Sequence, residues 1–290
     1  MDLTKHFIKT KQPCADGFRW FLRHYQEGSN YQDLLDALVN AGRVNDACWL
    51  LDKFGPTNET LTVDHLSTDA LVFAGSLRVR GNIDVGSVLR VGQHVHVGGS
   101  IFAGEALVSG DDIRCEGGIR CNGRVESGGR LRVGWGIETA ADLVVQSELR
   151  AAWDVRCGGR LSLGGQASVG GDLVVQGALV CGKGLAIGGD LITGDSIHAI
   201  EGISVGMQID CGMHLQAGWG IKAGGAVQAR GAIRSGESLS AFETIRAGEG
   251  YGIYAGLNVQ VEAWETSARV CASEKPEGLM SGLWAGARDV

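Results

Sequence analysis

Proline is nearly missing from this chain. Only Pro13, Pro56 and Pro276 occur in 290 residues, so nothing between the second and third interrupts a backbone hydrogen-bond ladder. No apolar run approaches the roughly 18 residues that a spanning helix needs, and the opening MDLTKHFIKTKQPCADG carries no apolar signal core. These two absences predict a soluble, cytoplasmic protein that meets no membrane. Cys-x-x-Cys, Walker A, His-Glu-x-x-His and nucleophile-elbow patterns are also lacking, which removes the usual zinc, redox, phosphate-loop and acyl-transfer signatures. No catalytic residue, cofactor or metal is expected, and the chain is not read as an enzyme. A formal charge of −7 argues against direct nucleic-acid binding.

Glycine is abundant, at 47 residues, and its placement is periodic. Stepping by six from Leu71 gives 32 positions through Leu257, of which thirty are Leu, Ile or Val; Ala167 and Tyr251 are the exceptions. Two residues after each lies a smaller residue, as in Leu77-Arg78-Val79, with Phe73 the one large member. Strand side chains alternate, so these two positions face inward and the residue between them faces out. Glycine at the third or fourth place after the aliphatic residue is expected to permit the bend into the next side. Three sides of six make an 18-residue coil, and 32/3 gives between ten and eleven coils, a rod about 50 Å long at roughly 4.8 Å per coil. The pattern predicts an all-β solenoid, a triangular β-helix of about 18 residues per coil, expected to be right-handed. Cys115, Cys121, Cys157, Cys181 and Cys211 all fall in the small inward slot, where a free thiol acts as a small hydrophobe.

The ends differ. Residues 14–54 read as three short helices: one with Phe18, Phe21 and Tyr25 on a stripe, one capped by Ser29 or Asn30 and stopped near Gly42, and one from about Asn45 to Gly55-Pro56. They are expected to cover the open end of the first coil. The division is residues 1–56 as an α-helical cap, 57–261 as solenoid, and 262–290 as a C-terminal capping segment.

Residues 18 apart stack into columns outside the rod. One column reads Arg78, His96, Arg114, Arg132 and Arg150, then Ser168, Ala186, Ser204 and Lys222. Like charges at that spacing repel, which a purely structural column has no reason to select. Trp135 and Trp153 are also 18 apart, at the bend after Arg132 and Arg150. An arginine and tryptophan cluster has the composition of an interface hot spot, so Arg114, Arg132, Trp135, Arg150 and Trp153 are the candidate partner-binding residues. Phe102 and Trp219 could extend the contact surface, and His94 and His96 project from one strand without an evident third metal ligand.

Two resemblances bear on function. The hexad stack is similar in kind to the bactofilins, self-assembling β-solenoid scaffolds, which makes a scaffold the alternative reading. The segments Pro13-Cys14-Ala15-Asp16-Gly17-Phe18-Arg19-Trp20 and Asp46-Ala47-Cys48-Trp49-Leu50-Leu51 resemble a region of bacterial immunity proteins against secreted type VI or contact-dependent toxins. That resemblance covers roughly residues 6–55. It implies a cytoplasmic inhibitor, monomeric in a 1:1 complex, that blocks the active site of an effector toxin such as a nuclease. A hexapeptide acyltransferase fits less well, because in that family the small residue precedes the aliphatic one.

Overall fold

The computed structural model describes residues 2–3, 5–25 and 29–287. Its body is a parallel β-solenoid of three sheets with 13, 11 and 12 strands. Successive strands visit the sheets in turn: Leu131–Val133 lies in the first, Ile137–Thr139 in the second, Leu143–Val145 in the third, and Leu149–Ala151 back in the first. We call these sheets walls 1, 2 and 3. Register is strict along the stack, with Leu131 opposite Leu149 and Arg132 opposite Arg150, then Ile137 opposite Val155 and Glu138 opposite Arg156. Inward aliphatic residues form one continuous interior from Leu77 to Ile253, almost all with no more than a few per cent of their surface exposed. Each such side chain removed from water contributes about 1.5–3 kcal/mol, which makes the hexad the organising signal of the fold.

The small inward slot does more than save space. Cys157 Sγ donates to the carbonyls of Ala141 and Arg160, and Cys211 does the same to Asp195 and His214. Serine occupies the slot identically, with Ser127 donating to Asp111 and Arg130 carbonyls. Several of these carbonyls already accept a backbone N–H, Arg160 from Leu143 and His214 from Ile197, so the corner supplies each buried thiol or hydroxyl with an acceptor for its own hydrogen. All eight cysteines are free and the five in this slot are buried. Burial pushes the Cys115 thiol up to about 11 and raises Cys121, Cys157, Cys181 and Cys211 in the same direction, so these thiols stay protonated and unreactive.

The corner glycines work differently from the expectation. None from Gly75 to Gly248 has a left-handed φ. Glycine is needed there because coils approach closely: a Cβ on Gly134 would lie 2.1 Å from the Glu116 carbonyl oxygen, and one on Gly123 only 1.7 Å from that of Glu105.

Both ends depart from the hexad. A first coil precedes Leu71, with strands Thr60–Val63 and Leu66–Thr68. Its inward residues Leu61, Leu66 and Leu71 are five apart, which hid them from a search at six. Stacking offsets lengthen accordingly, from 16 (Thr62 with Arg78) to 17 (Ser67 with Asp84) to 18 (Val72 with Arg90). The last regular inward residue is Ile245, not Leu257. Two extra residues and the left-handed Gly250 (φ 77°) shift the register, so Ile253 enters the core while Tyr251 and Leu257 turn outward, 47% and 52% exposed. Beyond them Arg269–Cys271, Leu279–Ser281 and Leu283–Trp284 add three more strands to the walls.

Four helices precede the stack: α1 (Lys5–Thr10), α2 (Ala15–His24), α3 (Tyr31–Asn40) and α4 (Val44–Phe54). Helix α1 was not anticipated; the other three fall where the stripes placed them, and Asn30 caps α3 by accepting from the Gln32 N–H. They flank the rod instead of lying across its end. Their core packs on the outer face of strand Leu71–Phe73, burying Val72 and Ala74 completely. Gln32 donates to the Val72 carbonyl and accepts from the Ala74 N–H, which satisfies the free edge of wall 3. At the same end Leu61, Val63 and Leu66 stay partly exposed.

Candidate protein interface

The arginine column is built as the period implies. Arg78 pairs in register with His96, His96 with Arg114, Arg114 with Arg132, and Arg132 with Arg150. It occupies the outer face of wall 1, on strands whose flanking residues are locked into the interior. All four arginines are exposed and His96 is half-buried. Arg114 bonds Glu116 at 2.7 Å. Among the described residues, Arg78, Arg132 and Arg150 have no carboxylate within ion-pair distance. The Arg114 hydrogen bond, then the charges of Arg114, His96 and Arg132, hold the Glu116 carboxyl below its usual range. A single carboxylate thus serves a ridge of cations.

Above Arg150 the same column shrinks to Ser168, Ala186 and Ser204 before Lys222. These small residues floor an open trough of about 580 Å³, with Trp219 and Glu201 at its lip. Trp219 is 54% exposed. It joins wall 1 from the corner after wall 3, so ridge, trough and tryptophan share one face of the rod.

Trp135 and Trp153 belong elsewhere. They lie one coil apart, the Trp153 N–H donating to the Trp135 carbonyl at 3.3 Å, and are 65% and 67% exposed. Their Gly134-Trp135-Gly136 and Ala152-Trp153-Asp154 corners link wall 1 to wall 2. The rings line a groove of about 920 Å³ on wall 2 with Asp84, Phe102, Arg120, Glu138 and Arg156. No residue of the arginine column lines that groove. The structure therefore divides the five candidate residues between two adjoining walls: Arg114, Arg132 and Arg150 on one, Trp135 and Trp153 leaning over the other.

Sequence reasoning missed the wall 2 column, although the same 18-residue step displays it. Outward residues there run Asp84, Phe102, Arg120, Glu138 and Arg156. Arg120 approaches Glu138 at 3.7 Å and Arg156 pairs with Asp154 at 2.9 Å. Alternating charge is less conspicuous than a run of one sign, and this is why it passed unnoticed.

The fold separates the two histidines and gives His94 two carboxylate neighbours. His94 Nε2 lies 3.5 Å from Asp111 Oδ2, and with Asp112 these groups could hold a divalent ion. His96, facing out of wall 1, is not part of the group. Burial alone would raise the Asp112 carboxyl, but the Arg130 backbone N–H at 2.7 Å and guanidinium at 3.1 Å outweigh it and hold it below its usual range. Arg130 thus already neutralises Asp112, one of the three groups.

No helix among the described residues is long and apolar enough to cross a membrane. No curated protein and no solved structure matches the chain. Residues 1–55, the helical flank up to the start of the solenoid, match the family described as the YdhT N-terminal domain.

Proposed function

We propose that the protein is a dedicated binding protein of the immunity type, which holds a cognate protein toxin against wall 1 and so blocks its active site. The reading is carried by one observation: Arg132 and Arg150 stand exposed and in register, with no carboxylate among the described residues within ion-pair distance. Keeping adjacent guanidiniums uncompensated costs stability, and the cost is recovered when an acidic surface docks. The partner surface is thus acidic and elongated, following the ridge along the rod axis, with a projecting side chain for the trough beside Trp219. Rigidity favours tight association, because the interior holds every ridge residue in place before the partner arrives. The experiment is co-purification with the product of the neighbouring gene, followed by titration with Arg132→Glu/Arg150→Glu. The proposal expects tight wild-type binding that weakens with salt and is lost in the double variant. Unchanged affinity in that variant overturns it.

A self-assembling scaffold is the second reading. It is favoured by the N-terminal end of the rod, where Leu61, Val63 and Leu66 remain partly exposed on edge strands that the helices flank without covering. Filaments that lengthen with concentration in electron micrographs, and that are lost on replacing Leu61 and Leu66 with Lys, support this reading over the first.

A further inference from the structure

We infer that wall 2 is a self-complementary surface on which a second copy of this chain docks antiparallel, forming a two-fold dimer. A two-fold interface must place each residue opposite the partner of its own mate. The outward column of wall 2 meets that demand about a point midway between Arg120 and Glu138. Rotation there sets Arg120 against Glu138 of the second copy, and Glu138 against its Arg120. The pair already 3.7 Å apart within one chain becomes a closed four-group network of alternating sign. One row further out, Phe102 meets Arg156 of the second copy, an arrangement suited to a cation over an aromatic face.

The corners fit the same operation. Trp135 stands at the entry corner of the Glu138 row, and the axis, which runs along the strands, sets it over the entry corner of the Arg120 row at Gly117 of the second copy. Trp153 likewise meets Gly99 of the second copy. A Cβ on Gly117 would lie 2.7 Å from the Gly99 carbonyl oxygen and one on Gly99 2.8 Å from that of Gly81, so the floor under each indole is glycine backbone. Two tryptophans from each copy thereby clasp the other, which accounts for two large rings left 65% and 67% exposed beside a groove of about 920 Å³. Eight strands of wall 2, from Leu66–Thr68 to Leu191–Thr193, overlap in this register. At about 4.8 Å per row and a wall roughly 20 Å wide, the face is on the order of 700 Å², near the roughly 800 Å² per partner typical of specific interfaces. The arginine ridge of wall 1 stays free, so each copy keeps its partner-binding face. Dimerisation does not depend on what wall 1 binds.

The test is sedimentation equilibrium of the full chain, with circular dichroism to confirm that each variant is folded. Wild type is expected at twice the 30.5 kDa chain mass. Arg120→Glu places like charges across the axis and should give monomer. The exchange Arg120→Glu/Glu138→Arg restores opposite charges at both points and should restore the dimer, an outcome peculiar to a chain that pairs with itself. Trp135→Ala/Trp153→Ala should weaken the dimer at least about tenfold. A wild-type monomer at all concentrations, a dimer that Arg120→Glu leaves intact, or a charge exchange that fails to restore association overturns the inference. Because wall 1 is untouched by these variants, their effect is separable from loss of the toxin-type partner.

Discussion

The lower and upper halves of wall 1 share one interior and differ only outside. Below, Leu131 and Leu149 carry Arg132 and Arg150 beside them; above, Leu185 and Ile203 carry Ala186 and Ser204 in the same position. All four aliphatic side chains are buried to within a few per cent. The contrast teaches that the hexad constrains two residues in six tightly and leaves the intervening one almost free. Outward chemistry is therefore where this protein's function is written, and a change in that chemistry need not disturb the stack.

The largest effects should come from the shared interior and should be the same in both halves. Leu149→Ala and Leu185→Ala are each expected to cost about 2–5 kcal/mol in denaturant unfolding; a clear inequality would break the equivalence. Next comes alkaline pH, which acts on both halves through the buried thiols. Each folded value lies above the ordinary one, so the neutral thiol is favoured in the fold. Stability should be full below about 9 and fall as pH rises through about 11, the window between the ordinary and the raised value of Cys115, with thermal melts as the measure. Cys181 and Cys211 in the upper half and Cys157 in the lower half should resist thiol reagents until the chain unfolds.

The halves should separate only when the outward column is altered. Arg132→Glu/Arg150→Glu is expected to change unfolding free energy by no more than about 0.5 kcal/mol while weakening partner binding about tenfold or more. The smallest effect sharpens the contrast from the other side. Ser168→Arg/Ser204→Arg extends the ridge into the trough, and should leave stability within about 0.5 kcal/mol while steepening the salt dependence of binding. A substantial loss of stability in either variant would show that the outward column is part of what holds the coils.

Legibility followed regularity. The 18-residue coil, three walls and the vertical columns were all readable, because a period of six with alternating strand side chains admits one way to bury so long a series of aliphatic residues. The helices α2, α3 and α4 were readable from their stripes, but where they pack was not. The choice of the Val72 face over the open end depends on Gln32 reaching backbone groups 40 and 42 residues away, and no local pattern encodes that. The first coil escaped because its sides are five residues long. The last coils were misjudged because Tyr251 and Leu257 continue the count of six while the chain inserts a left-handed turn at Gly250.

Of the candidate interface, periodicity alone placed Arg114, Arg132 and Arg150 in one vertical row and Trp153 above Trp135, since stacking order is a property of spacing. It also determined that the interior would be aliphatic, thiol and hydroxyl. Which wall a corner side chain leans over was decided only by the tertiary structure. A corner residue lies between two walls, and its direction depends on backbone geometry where coils pack within van der Waals contact of each other. The fold thus assigned the tryptophans to wall 2 and left the arginines alone on wall 1, whereas Asp112, 18 residues after His94, was placed beside it by the period itself.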